Sequence, residues 1–455
     1  MLQHALRHNF TAINLIGHQD EYKLNLANEQ REHWDITVSA PSDTMPLRSK
    51  IYRTQQWLLS SRNKGRHTVV QPIAEAGKQV RYGIRRVIGT TSPLLKPLPD
   101  LKTDSMERSV DTNIQVVVVE SIPQFHALGQ EWKDLVDKVP VRVFQSFDWQ
   151  WLWWKHFGEG LQLHILTLRR DGLLVGIVPF YREDITVAGI VVYRRLKLLG
   201  SGVRHIGTGM MEESGPSDYL DFILAPDHAR ECIQAALHYL REHPGLYDEI
   251  VLDNVPPESS IMQMLVPYLA ECGTPARIKE SDTCPCLPVP ASVDDYLGGL
   301  ESAVANRLRQ AEKTFANKPP YSIETVSNSS LKSAFHDLVI LHQKRWNKLG
   351  FQGLFSAAPF HQFQHEFILS LSAQGKLWFK AIQFSGVRVA TRLGFVFKGR
   401  LYDYLSGFDN TAPGANRRPG LALLMCMIRD AEAMKLSFVD LLRGDEPYKL
   451  QMTSV

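Results

Sequence analysis

The order strand, strand, strand, helix, strand occurs twice in this sequence, which indicates two copies of one mixed α/β unit. Alternating apolar residues indicate the strands, and an apolar period of about 3.6 residues indicates each helix. The first copy contains Leu163–Leu168, Leu173–Tyr181, Asp218–Leu224, a helix from about Asp227 to Glu242, and Glu249–Asn254. The second contains Leu377–Phe384, Val387–Phe397, Arg400–Phe408, a helix ending near Lys435, and Phe438–Leu442.

Further elements precede each copy. A strand, Ile114–Val119, and a helix at about Gln124–Val139 come before the first copy, and two helices, about Val293–Ala316 and Ser330–Leu349, come before the strands of the second. Prolines interrupt regular structure, so Cys284–Pro290 is the predicted linker. The expected domains are therefore residues 114–284 and 285–455, after an extension of residues 1–113. A tryptophan cluster around Trp149 and Trp153 is expected to be core.

The composition is that of a soluble protein with more than one domain. The chain has 455 residues, of which 44% are hydrophobic and 22% are charged, so two or three domains are expected. No apolar run approaches the roughly 20 residues that cross a bilayer, and the first residues lack the continuous apolar core of a secretory signal. We therefore expect a cytoplasmic protein without a transmembrane segment.

Residues 1–113 differ from the rest of the chain in charge. Ten basic residues and one acidic residue, Glu75, lie between Arg48 and Arg86. Such a stretch could contact a nucleic acid or an anionic surface. It lacks apolar periodicity and a stacking pattern of aromatic residues, which favours a flexible, solvated arm and no nucleic-acid partner. Residues 1 to about 110 are expected to be dispensable, with Met106 as a candidate true start.

The cysteines and histidines do not predict a metal site. The chain contains five cysteines: Cys232, Cys272, Cys284, Cys286 and Cys426. An odd number without a CxxC pair indicates neither a disulfide framework nor a structural zinc site. His361 and His365 have the spacing of ligands on a helix, but no third ligand is evident. No metal cofactor is therefore predicted.

The sequence RRPGLALL, Arg417–Leu424, lies between a predicted strand and an apolar helix. The first turn of a helix offers free backbone N–H groups and the positive end of the helix dipole, and a glycine there lets a phosphate approach closely. Pro419 suits the first helical position, although it has no N–H to donate. Arg204–Gly209, RHIGTG, has the same spacing but precedes a loop. We therefore predict the phosphate site at Arg417–Ala422.

Four further motifs resemble one family of acyltransferases. They are FQSFDWQWLWW at Phe144–Trp154, LHQKRW at Leu341–Trp346, LYDYLSGFD at Leu401–Asp409 and FVDLLRGDEPYK at Phe438–Lys449. With Arg417–Ala422, they resemble the CelD/BcsL-like group of Gcn5-related N-acetyltransferases, whose domain is also called BioF2-like. The resemblance covers about residues 114–455. It implies two tandem Gcn5-related acetyltransferase-like domains, each a mixed sheet flanked by helices, and a bacterial role in making cellulose or another exopolysaccharide.

The resemblance also implies roles for residues of the second copy. Acyl transfer needs a donor to the thioester oxygen, a base for the acceptor and an acid for the departing thiolate. Strand 400–408 would offer a backbone N–H, Tyr448 is the candidate acid, and Glu446 and Asp445 are candidate bases. Coenzyme A is expected to contact Arg417, Arg418, Gly420, Leu421, Ala422, Leu405 and Ser406. The acceptor is expected to contact His342, Arg345, Trp346, Asp440, Arg443 and Lys449, with Asp440 orienting Arg443.

We therefore expect an acyltransferase with acetyl-CoA or another acyl-CoA as co-substrate. Its acceptor would be an amine or hydroxyl of a small or sugar-derived molecule, in association with polysaccharide synthesis. The first copy is expected to be structural or to line the acceptor cleft, because its helix start, APDHARE, lacks a glycine. Two alternatives stay open: a FemABX-like aminoacyl transfer from tRNA to a cell-wall precursor, and a non-catalytic scaffold of polysaccharide synthesis.

Overall fold

The described residues form one mixed sheet of thirteen strands that passes through both halves of the chain. The computed structural model describes residues 30–39, 113–203, 215–316, 318–444 and 446–453. The strands are β1 Gln30–Ser39, β2 Ile114–Val119, β3 Gln162–Arg170, β4 Leu173–Val187, β5 Ile190–Leu198, β6 Ile223–Leu224, β7 Glu249–Val255, β8 Ala276–Pro288, β9 Tyr321–Thr325, β10 Leu377–Phe384, β11 Val387–Phe397, β12 Arg400–Phe408 and β13 Phe438–Asp440.

The strand order repeats in the two halves of the sheet. Neighbouring strands follow the order β2-β3-β4-β5-β7-β1-β8-β13-β12-β11-β10-β9, with β6 beside β4. β5 pairs with β7 in parallel, and β12 pairs with β13 in parallel. We call residues 114–284 the first unit and residues 285–455 the second unit. In each unit, a long helix connects the two parallel strands, and the pair lies nearest the middle of the whole sheet.

The helices pack on the faces of this sheet. They are α1 Ile122–Ala127, α2 Gly129–Lys138, α3 Phe147–Phe157, α4 Ala229–Glu242, α5 Val266–Glu271, α6 Val293–Gly299, α7 Ser302–Phe315, α8 Leu331–Lys348, α9 Ala358–Ala373, α10 Pro419–Ala433 and α11 Pro447–Met452. Within the described ranges, no helix combines the length and the apolar character needed to cross a membrane. The expected fold class, a mixed α/β protein with a central sheet flanked by helices, is confirmed.

The three long strands of the second unit have the bounds that the sequence predicts. β10 and β11 are joined through Ser385 and Gly386, which both have positive φ angles of 50° and 83°, as a tight hairpin turn requires. In the first unit, the third strand is β5, Ile190–Leu198, and only Ile223–Leu224 of the predicted strand Asp218–Leu224 is a strand. The prediction for residues 218–222 is therefore wrong.

β1 overturns part of the expectation for residues 1–113. This strand lies between β7 and β8 and pairs antiparallel with both, from Trp34 to Ser39 along β7 and from Gln30 to Val38 along β8. The side chains of Ile36 and Val38 are buried. Residues 30–39 are thus part of the sheet and not a flexible arm. The basic stretch between residues 48 and 86, and Met106, lie outside the described residues.

The predicted linker at Cys284–Pro290 is also wrong, because β8 continues through it to Pro288. β8 pairs with β1 as far as Pro285 and with β13 from Cys286 to Pro288. Pro285 stands where the partner changes, so its missing N–H costs little. Its carbonyl oxygen still accepts a hydrogen bond from the Leu441 N–H at 3.0 Å. The boundary expected between residues 284 and 285 therefore falls inside a strand.

The tryptophan cluster is core, as predicted, and it also joins the two units. Trp149 and Trp153 of α3 are fully buried. The Trp149 ring meets Phe363 and Phe367 of α9 edge-on, with both pairs of ring centroids 4.8 Å apart. Its indole N–H donates to the Ser217 hydroxyl at 2.8 Å. The two units therefore share one continuous aromatic core beside the second half of the sheet.

Candidate functional site

The pairing between β12 and β13 stops well before the carboxyl end of β12. Pairing runs only from Arg400, opposite Phe438, to Tyr402, opposite Asp440, whereas β12 continues to Phe408. β13 ends at Asp440, so within the described residues β12 has no paired strand on this side beyond Tyr402, and we call this unpaired edge of β12 the gap.

A bulge in β12 lies directly beside this gap. Leu405 pairs with Leu393 of β11 and Asp403 pairs with Gly394, so Tyr404 is an extra residue without a partner on β11. A bulged residue leaves a backbone group outside the ladder. Gly394 is required opposite the bulge, because a Cβ there would overlap the carbonyl oxygen of Tyr402.

The Arg417–Ala422 turn leads into α10 and is open to solvent. Arg418 precedes the helix with φ 61°, a left-handed conformation that costs a non-glycine residue on the order of 1 kcal/mol. The N–H groups of Leu421 and Ala422 both donate to Arg418 O, at 3.0 and 3.2 Å. A Cβ on Gly420 would meet no atom within 4 Å. The space beside the Gly420 Cα is therefore open, at the positive end of the helix dipole.

Arg392 connects this turn to the gap, and the sequence did not indicate it. Its guanidinium donates to both Asp403 carboxylate oxygens, at 2.8 and 2.6 Å, and to Gly420 O at 2.5 Å. The residue is almost fully buried. Burial lowers the pKa of Arg392, but the carboxylate of Asp403 and the nearby Tyr448 hydroxyl raise it, and the net shift is upward. A permanently charged group is therefore held between the helix start and Tyr448.

Tyr448 lies on α11, directly after the last strand and beside Arg392. Burial raises the pKa of its hydroxyl; the Arg392 charge opposes this shift and the Asp403 carboxylate adds to it. The hydroxyl is consequently protonated at neutral pH and able to donate a proton. Glu446 is exposed and pairs with Lys449 at 3.0 Å. Asp445 lies outside the described residues.

The remaining coenzyme candidates flank the same gap. Leu405 and Ser406 follow the bulge on β12, opposite Leu393 and Arg392 of β11. Leu405 is buried and Ser406 is half-buried. In α10, the Ala422 side chain is fully buried and that of Leu421 is half-buried. Leu405 and Ser406 could bind a ligand through backbone groups, whereas the N–H groups of Leu421 and Ala422 already donate to Arg418 O.

The three candidates on α8 lie beside the end of β12. A Cβ on Gly407 would be 2.6 Å from His342 N, which shows how closely the helix crosses the strand. Burial lowers the pKa of His342 to about 4, so the ring is neutral. The Arg345 guanidinium lies 5.1 Å from the centroid of Phe408. Trp346 packs 6.0 Å from His342, centroid to centroid.

The part of the second unit that contains these features also matches a known protein family. Residues 302–450 match the acetyltransferase (GNAT) domain family. This range contains the gap between β12 and β13, the bulge, the Arg417–Ala422 turn, Arg392 and Tyr448. No curated protein sequence matches the chain.

Several solved structures resemble the chain at low identity. They are FemX (12% identical, covering 71% of this chain and 92% of that chain, TM-score 0.48), L-PGS from Bacillus licheniformis (11%, 70% and 77%, 0.40), and a tandem GNAT protein from the clavulanic acid biosynthesis pathway (11%, 73% and 90%, 0.36).

Asp440 and Arg443 of the second unit do not form the pair that the sequence predicts. Asp440 accepts hydrogen bonds from the Tyr219 hydroxyl at 2.8 Å and from the Leu442 N–H at 3.1 Å. The guanidinium of Arg443 instead reaches Asp218 of the first unit at 2.5 Å. Asp440 therefore does not orient Arg443, because the first unit supplies the nearest partner of each.

Lys449 is also held inside the protein. Its ammonium group donates to Arg443 O at 2.6 Å and pairs with Glu446, and its side chain is only 6% exposed. Lys449 thus fixes the turn between β13 and α11. It is in a position to place Tyr448 and not to meet a ligand directly.

Replacing Arg443 by methionine is expected to lower the free energy of unfolding by about 3–5 kcal/mol, because Asp218 would stay buried without its charge partner. Urea denaturation measures the change. Arg169→Met is the matched control, since Arg169 and Glu131 form a more exposed ion pair worth at most about 1 kcal/mol. Adding Asp218→Asn to Arg443→Met should recover part of the loss; equal losses at Arg443 and Arg169 would contradict the buried pair.

The first unit has a different helix start at the corresponding place. α4 follows Pro226 and Asp227 and carries Glu231 in its first turn, so acidic side chains surround its amino terminus. Lys197 of β5 pairs with Asp253 of β7 at 3.1 Å. Arg204–Gly209, the second sequence with the spacing of RRPGLA, lies outside the described residues. The described helix start of the first unit is therefore less favourable for an anion than the helix start of α10 in the second unit.

Proposed function

We propose that this protein transfers an acyl group, in the first instance acetyl, from coenzyme A to an amine or hydroxyl, and that the second unit binds the coenzyme. The observation that carries the proposal is the position of Arg392. It contacts the carbonyl oxygen of Gly420 at the open helix start and lies beside the Tyr448 hydroxyl. Arg392 would thereby hold the proposed anion site and the proposed proton donor at a fixed separation.

The residues present suit the phosphates of coenzyme A. The backbone at Gly420 faces open space, and Arg417 and Arg418 line an open cavity of about 590 Å³ next to it. Backbone N–H groups at a helix start and exposed arginines both favour phosphate. Acyl-CoA, when bound, would supply an acyl group activated as a thioester.

Three groups of the second unit would then take part in the transfer: a backbone N–H, a carboxylate and the Tyr448 hydroxyl. A backbone N–H that the Tyr404 bulge leaves outside the ladder would donate to the carbonyl oxygen as negative charge develops there. Glu446, or Asp445, would accept the proton of the attacking amine or hydroxyl. Tyr448 would give its proton to the sulfur as the carbon–sulfur bond breaks and the new carbon–nitrogen or carbon–oxygen bond forms, and would later regain a proton from water.

The acceptor side of the proposal rests on α8 and on the resemblance to the CelD/BcsL-like group. His342, Arg345 and Trp346 of α8 lie beside the end of β12, the strand that carries the bulge. A neutral imidazole, a guanidinium and an indole suit a polar acceptor with an apolar face, such as a sugar-derived molecule. We propose such an acceptor, with a role in bacterial cellulose or exopolysaccharide synthesis.

Calorimetric titration with acetyl-CoA tests the proposal. Binding is expected, followed by release of free thiol when the correct acceptor is added from a panel of amino sugars, sugars and amines. Binding of charged tRNA but not of acetyl-CoA would favour the FemABX-like alternative. A folded sample that binds neither would favour the non-catalytic scaffold.

Replacing Tyr448 by phenylalanine is expected to lower kcat about 100-fold, the typical contribution of a positioned acid, with acetyl-CoA affinity unchanged. Thiol release measures kcat, and calorimetry measures the affinity. Tyr239→Phe is the control, since Tyr239 lies on α4 of the first unit and should leave kcat unchanged. A Tyr448→Phe enzyme with full activity would remove Tyr448 from the mechanism.

A further inference from the structure

An open cavity lies between α7 and the turn that precedes α10. Its volume is about 590 Å³, and its lining includes Lys313, Lys318, Arg417 and Arg418. None of the described residues that line it is acidic. We call it the basic cavity. It adjoins Gly420, yet most of its wall belongs to α7 and the segment after it.

The four cations of the basic cavity are exposed, and none of them is paired with a carboxylate in the described part of the chain. Glu312, next to Lys313 on α7, is engaged by Arg429, whose Nη2 lies 3.0 Å from its Oε2. This acidic neighbour of Lys313 in the sequence is therefore paired with another residue. The cavity keeps four positive charges without a neutralising group of its own.

Packing fixes the wall between the two pairs of cations. Tyr321 lines the cavity, and its ring meets Phe315 and Phe384 with centroids 5.0 and 5.4 Å apart. The Tyr321 N–H donates to Lys318 O at 2.8 Å, which fixes the backbone of the lysine. A Cβ on Gly414, where φ is 79°, would overlap the Tyr321 hydroxyl. The turn before α10 is thus packed directly against this wall.

Four charges exceed what one pyrophosphate at a helix start requires. A diester-linked pyrophosphate carries two negative charges, and it would be met by the Gly420 turn with Arg417 and Arg418. Lys313 and Lys318 lie on the other side of the cavity, where a second anionic group could be bound by point charges. A phosphate monoester near neutral pH carries nearly two negative charges.

We propose that the basic cavity binds the 3′-phosphate of coenzyme A through Lys313 and Lys318. This inference rests on the proposed function and extends it, because it makes α7 and the segment after it a determinant of selectivity for the 3′-phosphorylated coenzyme. The enzyme would then discriminate against carriers that have the same pantetheine arm and pyrophosphate but lack the third phosphate.

The test compares binding of coenzyme A and 3′-dephospho-coenzyme A by calorimetry at fixed ionic strength. The wild-type protein should bind the dephospho form at least about tenfold more weakly, as expected for the loss of charge-assisted contacts. Lys313→Gln with Lys318→Gln should weaken binding of coenzyme A to the level of the dephospho form and leave the dephospho affinity unchanged. Lys332→Gln, an exposed lysine on α8, should change neither.

The outcomes separate this inference from the proposed function. Equal affinities of the wild-type protein for both coenzymes would overturn the 3′-phosphate site and leave the acyltransferase proposal standing. An equal loss for both coenzymes in the double variant would also overturn it, because the lysines would then act on the pyrophosphate or on the fold. Binding of neither coenzyme by folded wild-type protein would overturn both proposals.

Discussion

Replacing Gly420 by glutamate is expected to weaken acetyl-CoA binding at least about 100-fold while the protein stays folded. The new side chain would point into open space, where a Cβ meets no atom within 4 Å, so no core packing is lost. A carboxylate in the first turn of a helix is itself stabilised by the dipole. The same field that would bind phosphate then binds the glutamate, and a like charge at the site costs several kcal/mol of affinity.

Two variants at the same position separate charge from size. Gly420→Gln has the length of glutamate without its charge and should weaken binding much less, and Gly420→Ala should bind nearly as the wild type does. Calorimetry with acetyl-CoA gives each dissociation constant, and circular dichroism verifies the fold. Unchanged affinity in folded Gly420→Glu would show that the coenzyme binds elsewhere.

Removing residues 1–112 is expected to prevent the protein from folding. The deletion takes away β1, which pairs with β7 on one side and β8 on the other. Two long strand edges would be left open in the middle of the sheet, and such edges promote aggregation. Ile36 is fully buried, and truncating a buried isoleucine to alanine alone costs about 2–5 kcal/mol, a large part of ordinary protein stability.

Deletion of residues 1–29 is the matched control, because it keeps β1. This shorter deletion should give a soluble protein with a cooperative urea transition, whereas the longer one should give insoluble or unfolded material. Size-exclusion chromatography and urea denaturation measure both. A soluble protein of residues 113–455 with the stability of the full chain would show that the β7 and β8 edges do not need β1.

The strands β10, β11 and β12 could be predicted from the sequence because the signals that indicate them lie within a few neighbouring residues. Apolar residues alternate along each strand, and Ser385–Gly386 gives the turn between the first two. The helix start at Pro419 was predictable for the same reason, since proline suits the first helical position and Gly420 lies in the first turn. Such signals depend on neighbours in the chain and need no distant partner.

The strands β1 and β8 could not be predicted in this way. β1 carries polar residues among its apolar ones and lies far along the chain from both of its partners. Its place depends on edges that β7 and β8 leave open. In β8, the prolines predict a break, but the change of partner at Pro285 removes the need for its N–H.

The roles of Arg392, Asp440 and Arg443 likewise depend on contacts across the fold. In the sequence VRVATRLGFVF, Arg392 looks like any outward residue of an alternating strand. It is buried because α10 covers that face, and Asp403 of the next strand balances its charge. Arg443 follows the last strand as a phosphate ligand might, yet Asp218 of the first unit is the carboxylate that pairs with it.

The sequence by itself determined the mixed α/β class, the strands of the second unit and the helix start that suits an anion, because periodicity, turns and capping act over a few residues. Only the tertiary structure decided that β1 joins the two halves of the sheet, that Arg392 ties Gly420 to Tyr448, and that Arg443 belongs to the contact between the units. The physical reason is that strand pairing and the neutralisation of buried charge depend on residues far apart in the chain.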